Sequence, residues 1–110
     1  MLNCVFRLTR FGNAEAFSGF EISGHAGHGT ALNEKEGNDI VCAAVSSCTM
    51  LVCNAITENF GAAAEVKVEE NRITLRLAEK NTAAQHLISA LYEHLSVLSE
   101  NYSGIRLTII

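Results

Sequence analysis

The sequence predicts an α+β domain whose strands and helices follow one another in the order ββαββαβ. Three observations predict it: alternating apolar and polar residues at both ends of the chain, a long apolar stretch from Ile40 to about Asn59, and an amphipathic stretch that begins near Thr82. A chain of 110 residues suffices for one core of modest size. We therefore expect residues 1–110 to form a single domain with a mostly antiparallel sheet packed with two helices.

The first two strands form a predicted hairpin. Apolar residues recur at every second position from Leu2 to Leu8, which is typical of a strand with one buried face and makes Cys4 a core thiol. The dipeptide Gly12-Asn13 favours a turn. The second strand is predicted from about Phe17 to Ser23, so that His25 follows at the rim of the sheet.

A glycine-rich loop and the first helix come next. Residues 26–38 contain three glycines and a short charged cluster, and we predict a loop there. Asn38 or Asp39 is a suitable N-cap for a helix from Ile40 to about Asn59. This prediction places Cys42 in the first turn. The helix is apolar around most of its circumference, which indicates burial on more than one side or a subunit interface. One narrow stripe of it carries Cys42, Ser46, Thr49 and Cys53.

The second half repeats the same types of element. Gly61 is expected to end the first helix, and Glu69-Glu70-Asn71 joins two alternating strands. Thr82 and Gln85 fit a capping box, so a second helix should begin there and end near Asn101. A last strand is predicted from Ile105 to Ile109. Apolar residues recur at helical spacing in the second helix, at Ala84, Leu87, Ile88, Leu91, Leu95 and Leu98.

Composition excludes several classes of protein. Apolar residues make up 48% of the chain and charged residues 18%, which is typical of a globular protein. No uninterrupted apolar run approaches the length of a membrane span, and the N-terminus lacks the apolar segment of a secretion signal. We therefore expect a cytoplasmic protein with no membrane contact and four reduced cysteines. The net charge is −4 without a basic stripe, so no direct nucleic-acid binding is expected.

Cys42 and His25 form a candidate nucleophile and base. A thiol attacks as its thiolate, and a helix N-terminus favours negative charge. His25 could accept the thiol proton if the fold brings the two side chains within hydrogen-bond reach. Asp39 has two candidate roles, because it could cap the helix or orient the imidazolium. Cys48 and Cys53 are predicted to be core thiols.

Two alternative interpretations exist for these residues. A cysteine at a helix start is often a packed thiol without chemistry. His25, His28 and Cys42 could instead ligate zinc, but a His-x-x-His pair in a glycine-rich loop lacks a rigid presentation, and no second ligand pair is present. We therefore predict no metal and no cofactor.

The segments GHA (residues 24–26) and GNDIVCAAVS (residues 37–46) resemble the ribosomal-processing cysteine protease family, Prp. The resemblance implies an α+β homodimer that removes a short N-terminal extension from a bacterial large-subunit ribosomal protein of the bL27 type, next to an aromatic residue. It implies Cys42 as nucleophile and His25 as general base, Asp39 and Ser46 as polar residues beside the site, and Gly24 and Gly37 as the glycines that bound a flexible loop. That loop is longer here than is usual in the family, and it contains His28.

A protein of another class would also fit these segments. It would be a non-catalytic ribosome-assembly protein that binds the same peptide tail without cutting it. Cleavage of such a tail, or tight binding without cleavage, distinguishes the two.

Overall fold

The computed structural model describes residues 1–24 and 32–110, and of residues 32–39 the backbone alone. The order of elements is ββαββαβ, as predicted, and the α+β fold class is confirmed. The strands are β1 (Leu2–Phe11), β2 (Ala14–Gly24), β3 (Ala64–Glu69), β4 (Arg72–Leu77) and β5 (Ile105–Ile109). The helices are α1 (Leu32–Asn54), which continues as a π-helix (Ala55–Asn59), and α2 (Thr82–Asn101).

The strands described here form one sheet in the order β3-β4-β2-β1-β5. Three of its pairings are antiparallel: β1 with β2, β2 with β4, and β3 with β4. The last strand, β5, lies parallel to β1, with Leu2 opposite Ile105. This parallel pairing follows from the chain path, because α2 carries the chain from β4, which is parallel to β1, across the sheet to the β5 edge.

Both helices pack on one face of the sheet. The alternation of the strands places Cys4 and Phe6 of β1, Phe20 and Ile22 of β2, and Ile73 and Leu75 of β4 on that face, where all are buried. One cluster joins them to the helices, through Val41, Val45, Val52, Cys53 and Ile56 of the first helical segment and Ala84, Ile88, Leu91 and Leu95 of α2. Cys4 and Cys53 are therefore core thiols, as predicted, whereas Cys48 is only half-buried.

The first helix begins earlier than the sequence predicted. It starts at Leu32 rather than at Ile40, so neither Asn38 nor Asp39 caps it and Cys42 does not lie in its first turn. The physical reason is that Glu34, Lys35 and Glu36 favour helix, although the neighbouring glycines suggested a loop. At the other end, Gly61 follows the π-helix with a φ of 59°, which agrees with its predicted role as a stop.

The second helix is capped differently from the prediction. Asn81, not Thr82, is the N-cap, and its Oδ1 accepts a hydrogen bond from the Ala84 amide at 2.9 Å. Gln85 therefore does not form the predicted capping box, and its side chain makes hydrogen bonds to β2 instead. Its Oε1 accepts from the Phe17 amide and its Nε2 donates to the Phe17 carbonyl, both at 2.6 Å. The pairing of β2 with β4 begins only at Gly19. Gln85 therefore bonds the Phe17 amide and carbonyl on the side of β2 where β4 does not pair.

By length and composition, one described segment could cross a membrane: Ile40–Asn59, with a mean hydropathy of 1.9. A core helix of a soluble protein meets the same criterion, and Val45 and Ile56 of this segment are completely buried in the core. Its other side is exposed, with exposed fractions of 67% for Ile40 and 69% for Leu51. The segment thus has one face in the core and one exposed face that carries no charged residue before Glu58.

Candidate active site

A cavity of about 280 Å³ opens between α1, the end of β2 and the turn that joins β3 to β4. Three residues predicted for the site contribute to it: Gly24, Cys42 and Ser46. Its apolar lining comes from Leu2, Ile22, Met50, Val68 and Ile73, and its polar rim from Glu69, Glu70, Asn71 and Arg72. The cavity thus combines a thiol with an apolar wall and a charged entrance.

Cys42 reaches this cavity from the interior of a helix. Its side chain is half-buried, and it lies ten residues after the first residue of α1, Leu32. Inside an α-helix each amide donates to the carbonyl four residues earlier. The predicted stabilisation of a thiolate by first-turn amides and the helix dipole is therefore wrong for this structure, because the first turn lies elsewhere.

Gly24 fixes the end of β2 beside the cavity. Its φ of 91° lies in a region that side chains disfavour, and a Cβ atom there would collide with the Met1 carbonyl oxygen. Its amide donates a hydrogen bond to the Asn71 carbonyl at 2.9 Å. The chain is thus held against the β3–β4 turn at the residue that precedes His25.

Ser46 lies one helical turn after Cys42 and is exposed. The stripe predicted on this helix runs from surface to core, because Thr49 and Cys53 are buried while Cys42 and Ser46 line the cavity. Met50 continues the cavity wall one turn further along. A hydroxyl and a thiol therefore face the same space on successive turns.

The model of the cysteine protease family Prp matches residues 3–105. The chain belongs to the Prp family of cysteine proteases. The predicted resemblance is thereby confirmed, and so is the prediction of a cysteine protease. No curated protein sequence shows significant similarity to the chain.

Solved structures with the same fold include the ribosomal processing protease Prp of S. aureus. Its structure in complex with a substrate peptide has 22% sequence identity to this chain and a TM-score of 0.83. Its structure with a covalently linked product peptide has 20% sequence identity and a TM-score of 0.80. Each match covers all of both chains. The protein SMU.848 from Streptococcus mutans has 23% identity and a TM-score of 0.76 over 100% of this chain and 97% of its own. At these identities the likeness shows a shared Prp-family fold.

The other thiols of this Prp-family chain are unsuited to attack. Burial raises the pKa of Cys4 to about 12, with a smaller contribution from the nearby Cys48 thiol. Burial also raises the pKa of Cys53 to about 11. The pKa of Cys48 is raised by burial too, partly offset by hydrogen bonds from Thr49 and from the backbone. These three side chains do not line the cavity.

Part of the predicted site lies outside the described residues. His25 and His28 belong to residues 25–31, and of Gly37 and Asp39 the backbone alone is described, within α1. The roles of these four residues in a Prp-family site stay predictions. Among described residues, no group of three or more His, Cys, Asp or Glu side chains is placed to hold a metal ion. Of the three zinc ligands considered above, the two histidines lie outside the described residues.

Sequence reasoning missed the wall and the rim of the cavity. Leu2 was predicted on the buried face of a strand, and Glu70 and Asn71 in the connection between two strands, with no signal linking them to Cys42. They meet because β2 lies between β1 and β4. The start of β1, the end of β2 and the β3–β4 turn therefore lie at the same end of the sheet. Only the strand order supplies that information.

Proposed function

We propose that this protein is a cysteine endopeptidase that removes an N-terminal extension from a bacterial large-subunit ribosomal protein of the bL27 type. Its membership of the Prp family gives the reaction class. The observation that carries the proposal for this chain is that Cys42, a half-buried thiol, lines a cavity of about 280 Å³. A cavity beside a thiol gives a peptide access to the sulfur.

In the proposed mechanism, His25 accepts the thiol proton and the Cys42 sulfur attacks the scissile carbonyl carbon. The tetrahedral intermediate collapses, the C–N bond breaks, and His25 returns the proton to the leaving amine. Water activated by the same imidazole then hydrolyses the thioester and restores the thiol. The position of Gly24 on the cavity supports this assignment, because His25 is the next residue along the chain.

Asp39 is assigned the task of orienting the imidazolium. The alternative role, a helix cap, is excluded because α1 begins at Leu32. A carboxylate that pairs with imidazolium favours its charged form. Asp39→Asn should therefore lower the pH at which the base titrates in the kcat/KM profile.

The apolar wall of the cavity suits a large apolar side chain next to the scissile bond. Ile22 and Ile73 are buried side chains of the sheet, and Met50 is a flexible one on α1. A rigid wall with one adaptable thioether accommodates an aromatic ring well. The S. aureus Prp structures contain a substrate peptide or a covalently linked product peptide, which supports a peptide as the occupant here.

The test is cleavage of a synthetic peptide with the N-terminal extension of the source organism's own ribosomal protein. We expect Cys42→Ser to reduce the cleavage rate at least about 100-fold, because the hydroxyl is a far weaker nucleophile near neutral pH, and to leave peptide binding intact. Cys48→Ser is the matched control, since that thiol lies on the same helix outside the cavity lining. Cleavage that survives Cys42→Ser contradicts the mechanism, and tight binding without product by the wild type supports the ribosome-assembly alternative.

We also propose that the protein forms a homodimer through the outer face of α1. From Ile40 to Thr57 the chain contains no charged residue. Ile40 and Leu51 are the most exposed of its large apolar side chains among the described residues, with small Ala44 and Ser47 exposed between them. Two such helices packed antiparallel about the midpoint of this stripe would place Ile40 of each copy against Leu51 of the other. Small residues at the midpoint allow close approach.

A further inference from the structure

The face of the sheet opposite the helices collects most of the protein's basic residues. Strand alternation places five of the chain's eight Lys and Arg residues there: Arg7, Lys67, Arg72, Arg76 and Arg106. The same face carries three glutamates, Glu21, Glu65 and Glu69. The open face is therefore net positive on a protein whose net charge is −4. In the linear sequence these residues lie far apart, and no basic stripe is visible.

Arg7, Gly19 and Arg76 stand in one row across three neighbouring strands. Arg7 of β1 is opposite Gly19 of β2, which is opposite Arg76 of β4. The two arginines are thus two strand spacings apart, about 10 Å between Cα atoms, and both are exposed. No side chain stands between them. A Cβ atom at Gly19 would collide with the Leu75 carbonyl oxygen, so this position is restricted to glycine.

A small cavity occupies the gap above Gly19. Its volume is about 60 Å³, and its lining includes Arg7, Arg76 and Ser18. The register shift between Arg7 and Leu8 leaves Ser18 as an extra residue in β2, and such bulges re-aim the neighbouring side chains. The Ser18 hydroxyl accepts a hydrogen bond from Thr9 at 2.7 Å and donates to the Arg7 carbonyl at 3.4 Å. This network holds the backbone of Arg7 at the edge of the cavity.

One acidic residue, Glu21, also lines this cavity. Its carboxylate lies 3.7 Å from the Arg72 guanidinium, and both side chains are about half exposed, so this ion pair offsets only part of its charge. Glu65 stands opposite Arg76 on β3. Glu65 is thus at the far end of the row, three strands from Arg7, and the direct neighbour of Arg7 in the row is Gly19. The cavity therefore faces two guanidiniums and one carboxylate, which leaves its lining net positive.

We propose that this open sheet face binds RNA, with one backbone phosphate seated above Gly19 between Arg7 and Arg76. Guanidinium is planar and presents paired donors that match phosphate oxygens. The further cations Lys67, Arg72 and Arg106 lie in other rows of the same face, which suits a chain of repeated phosphates better than a single anion. The proposed phosphate position is distinct from the Cys42 cavity, since neither Arg7 nor Arg76 lines that cavity, whereas Arg72 and Glu69 of the same face lie at its rim.

The test is fluorescence anisotropy with a labelled single-stranded RNA oligonucleotide over a series of salt concentrations. We expect the double variant Arg7→Gln/Arg76→Gln to weaken binding about tenfold at low salt and to reduce the slope of log Kd against log salt by about 1.4, the value for two lost contacts to a single strand. Glu21→Gln should tighten binding, because it removes the carboxylate beside the phosphate. Circular dichroism verifies that each variant is folded.

The matched control is Arg10→Gln/Lys80→Gln, which removes the same charge from two exposed residues outside this face. Equal weakening by this control would show a non-specific effect of net charge and overturn the proposal. Absence of salt-dependent RNA binding by the wild type would overturn it as well, as would equal competition by a polyglutamate peptide, which would assign the face to an acidic protein. Peptide cleavage by the Arg7→Gln/Arg76→Gln variant should be unchanged, so this outcome is independent of the proposed protease function.

Discussion

At the scale of single residues, the four cysteines differ in access to solvent, and burial raises the pKa of three of them, Cys4, Cys48 and Cys53. Cys42 is half-buried and lines the cavity of about 280 Å³, whereas Cys4 and Cys53 are buried in the core with pKa values raised to about 12 and about 11. A raised pKa keeps a thiol protonated at neutral pH, and the thiolate is the reactive form. Burial therefore protects two thiols from chemistry that the cavity permits at Cys42.

This difference predicts selective alkylation. With iodoacetamide near pH 8, we expect Cys42 to be modified first and Cys4 and Cys53 to stay unmodified in the native protein, because burial raises their pKa values to about 12 and about 11 and so keeps both thiols protonated. Their modification should increase as the pH approaches 11 to 12 or when the protein unfolds. Peptide mapping by mass spectrometry measures this order. Modification of Cys4 before Cys42 in folded protein would contradict the assignment.

Replacement of Gly24 should lower both the stability and the activity of the protein, whereas replacement of Gly12 should lower its stability alone. Gly24→Ala combines a φ of 91° with a collision against the Met1 carbonyl, and we expect a loss of about 2–3 kcal/mol in the free energy of unfolding. Gly12→Ala is the control, since Gly12 has a φ of 64° but no atom within 4 Å of an added Cβ, and it should cost only about 1 kcal/mol.

Urea denaturation measures both variants, and the cleavage assay is run on the folded protein. Because Gly24 immediately precedes His25, Gly24→Ala should also reduce kcat at temperatures where it is folded, whereas Gly12→Ala should not. Equal destabilisation by the two substitutions would mean that the contact with Met1 relaxes without cost.

At the scale of elements, Gln85 joins α2 to β2 where the sheet provides no neighbour. Its amide group makes both hydrogen bonds of the Phe17 backbone that face the helix. Phe17 also packs its ring against Phe6, at 6.0 Å between centroids, and near Tyr92, at 6.5 Å. Phe17 therefore takes part in both the aromatic cluster and the hydrogen bonds to Gln85, and both depend on where α2 lies against β2.

We expect Gln85→Ala to lower the free energy of unfolding by about 2 kcal/mol, because it leaves a half-buried donor and acceptor unsatisfied. His86→Ala is the control on the same helix, since that side chain is exposed, and it should change stability by less than about 0.5 kcal/mol. Chemical denaturation followed by circular dichroism compares them. If Gln85→Ala proved as mild as His86→Ala, water would be replacing the amide.

At the scale of the whole molecule, the two faces of α1 have different surroundings. One face carries Val45 and Val52 into the core, while the other leaves Ile40 and Leu51 exposed. Exposed apolar side chains aligned on one uncharged helix face indicate an interaction surface. Cys42 lies on the same helix, so association through this face would fix the helix that carries the proposed nucleophile.

Leu51→Glu should convert the proposed dimer to a monomer, because it places an unpaired charge against Ile40 of the other copy at each end of the interface. Val97→Glu is the control, since Val97 is 55% exposed on α2 and outside the proposed interface. Sedimentation velocity gives the oligomeric state of each variant. A wild type that sediments as a monomer at all concentrations would contradict the proposal, as would dissociation by both substitutions.

Much of the fold could be predicted from local pattern. The alternation in 2–8 and 105–109 and the helical spacing after Thr82 each depend on which face of an element meets the core, and that information lies within a few neighbouring residues. Where two local signals competed, the prediction was wrong. The glycines of residues 26–38 suggested a loop and Glu34–Glu36 a helix, and the structure begins α1 at Leu32. The capping of α2 failed similarly, because Thr82 and Asn81 are both suitable caps.

The sequence by itself determined the order of elements, the core faces and, through two short motifs, the Prp family. The tertiary structure alone decided which residues surround the Cys42 thiol and which cations share the open face. Leu2, Ile22 and Glu70 meet at one cavity, and Arg7 faces Arg76 across Gly19, because strand order brings together residues that are 20 to 70 positions apart. Such neighbours leave no periodic trace along the chain, since strand pairing depends on the whole sheet rather than on adjacent residues.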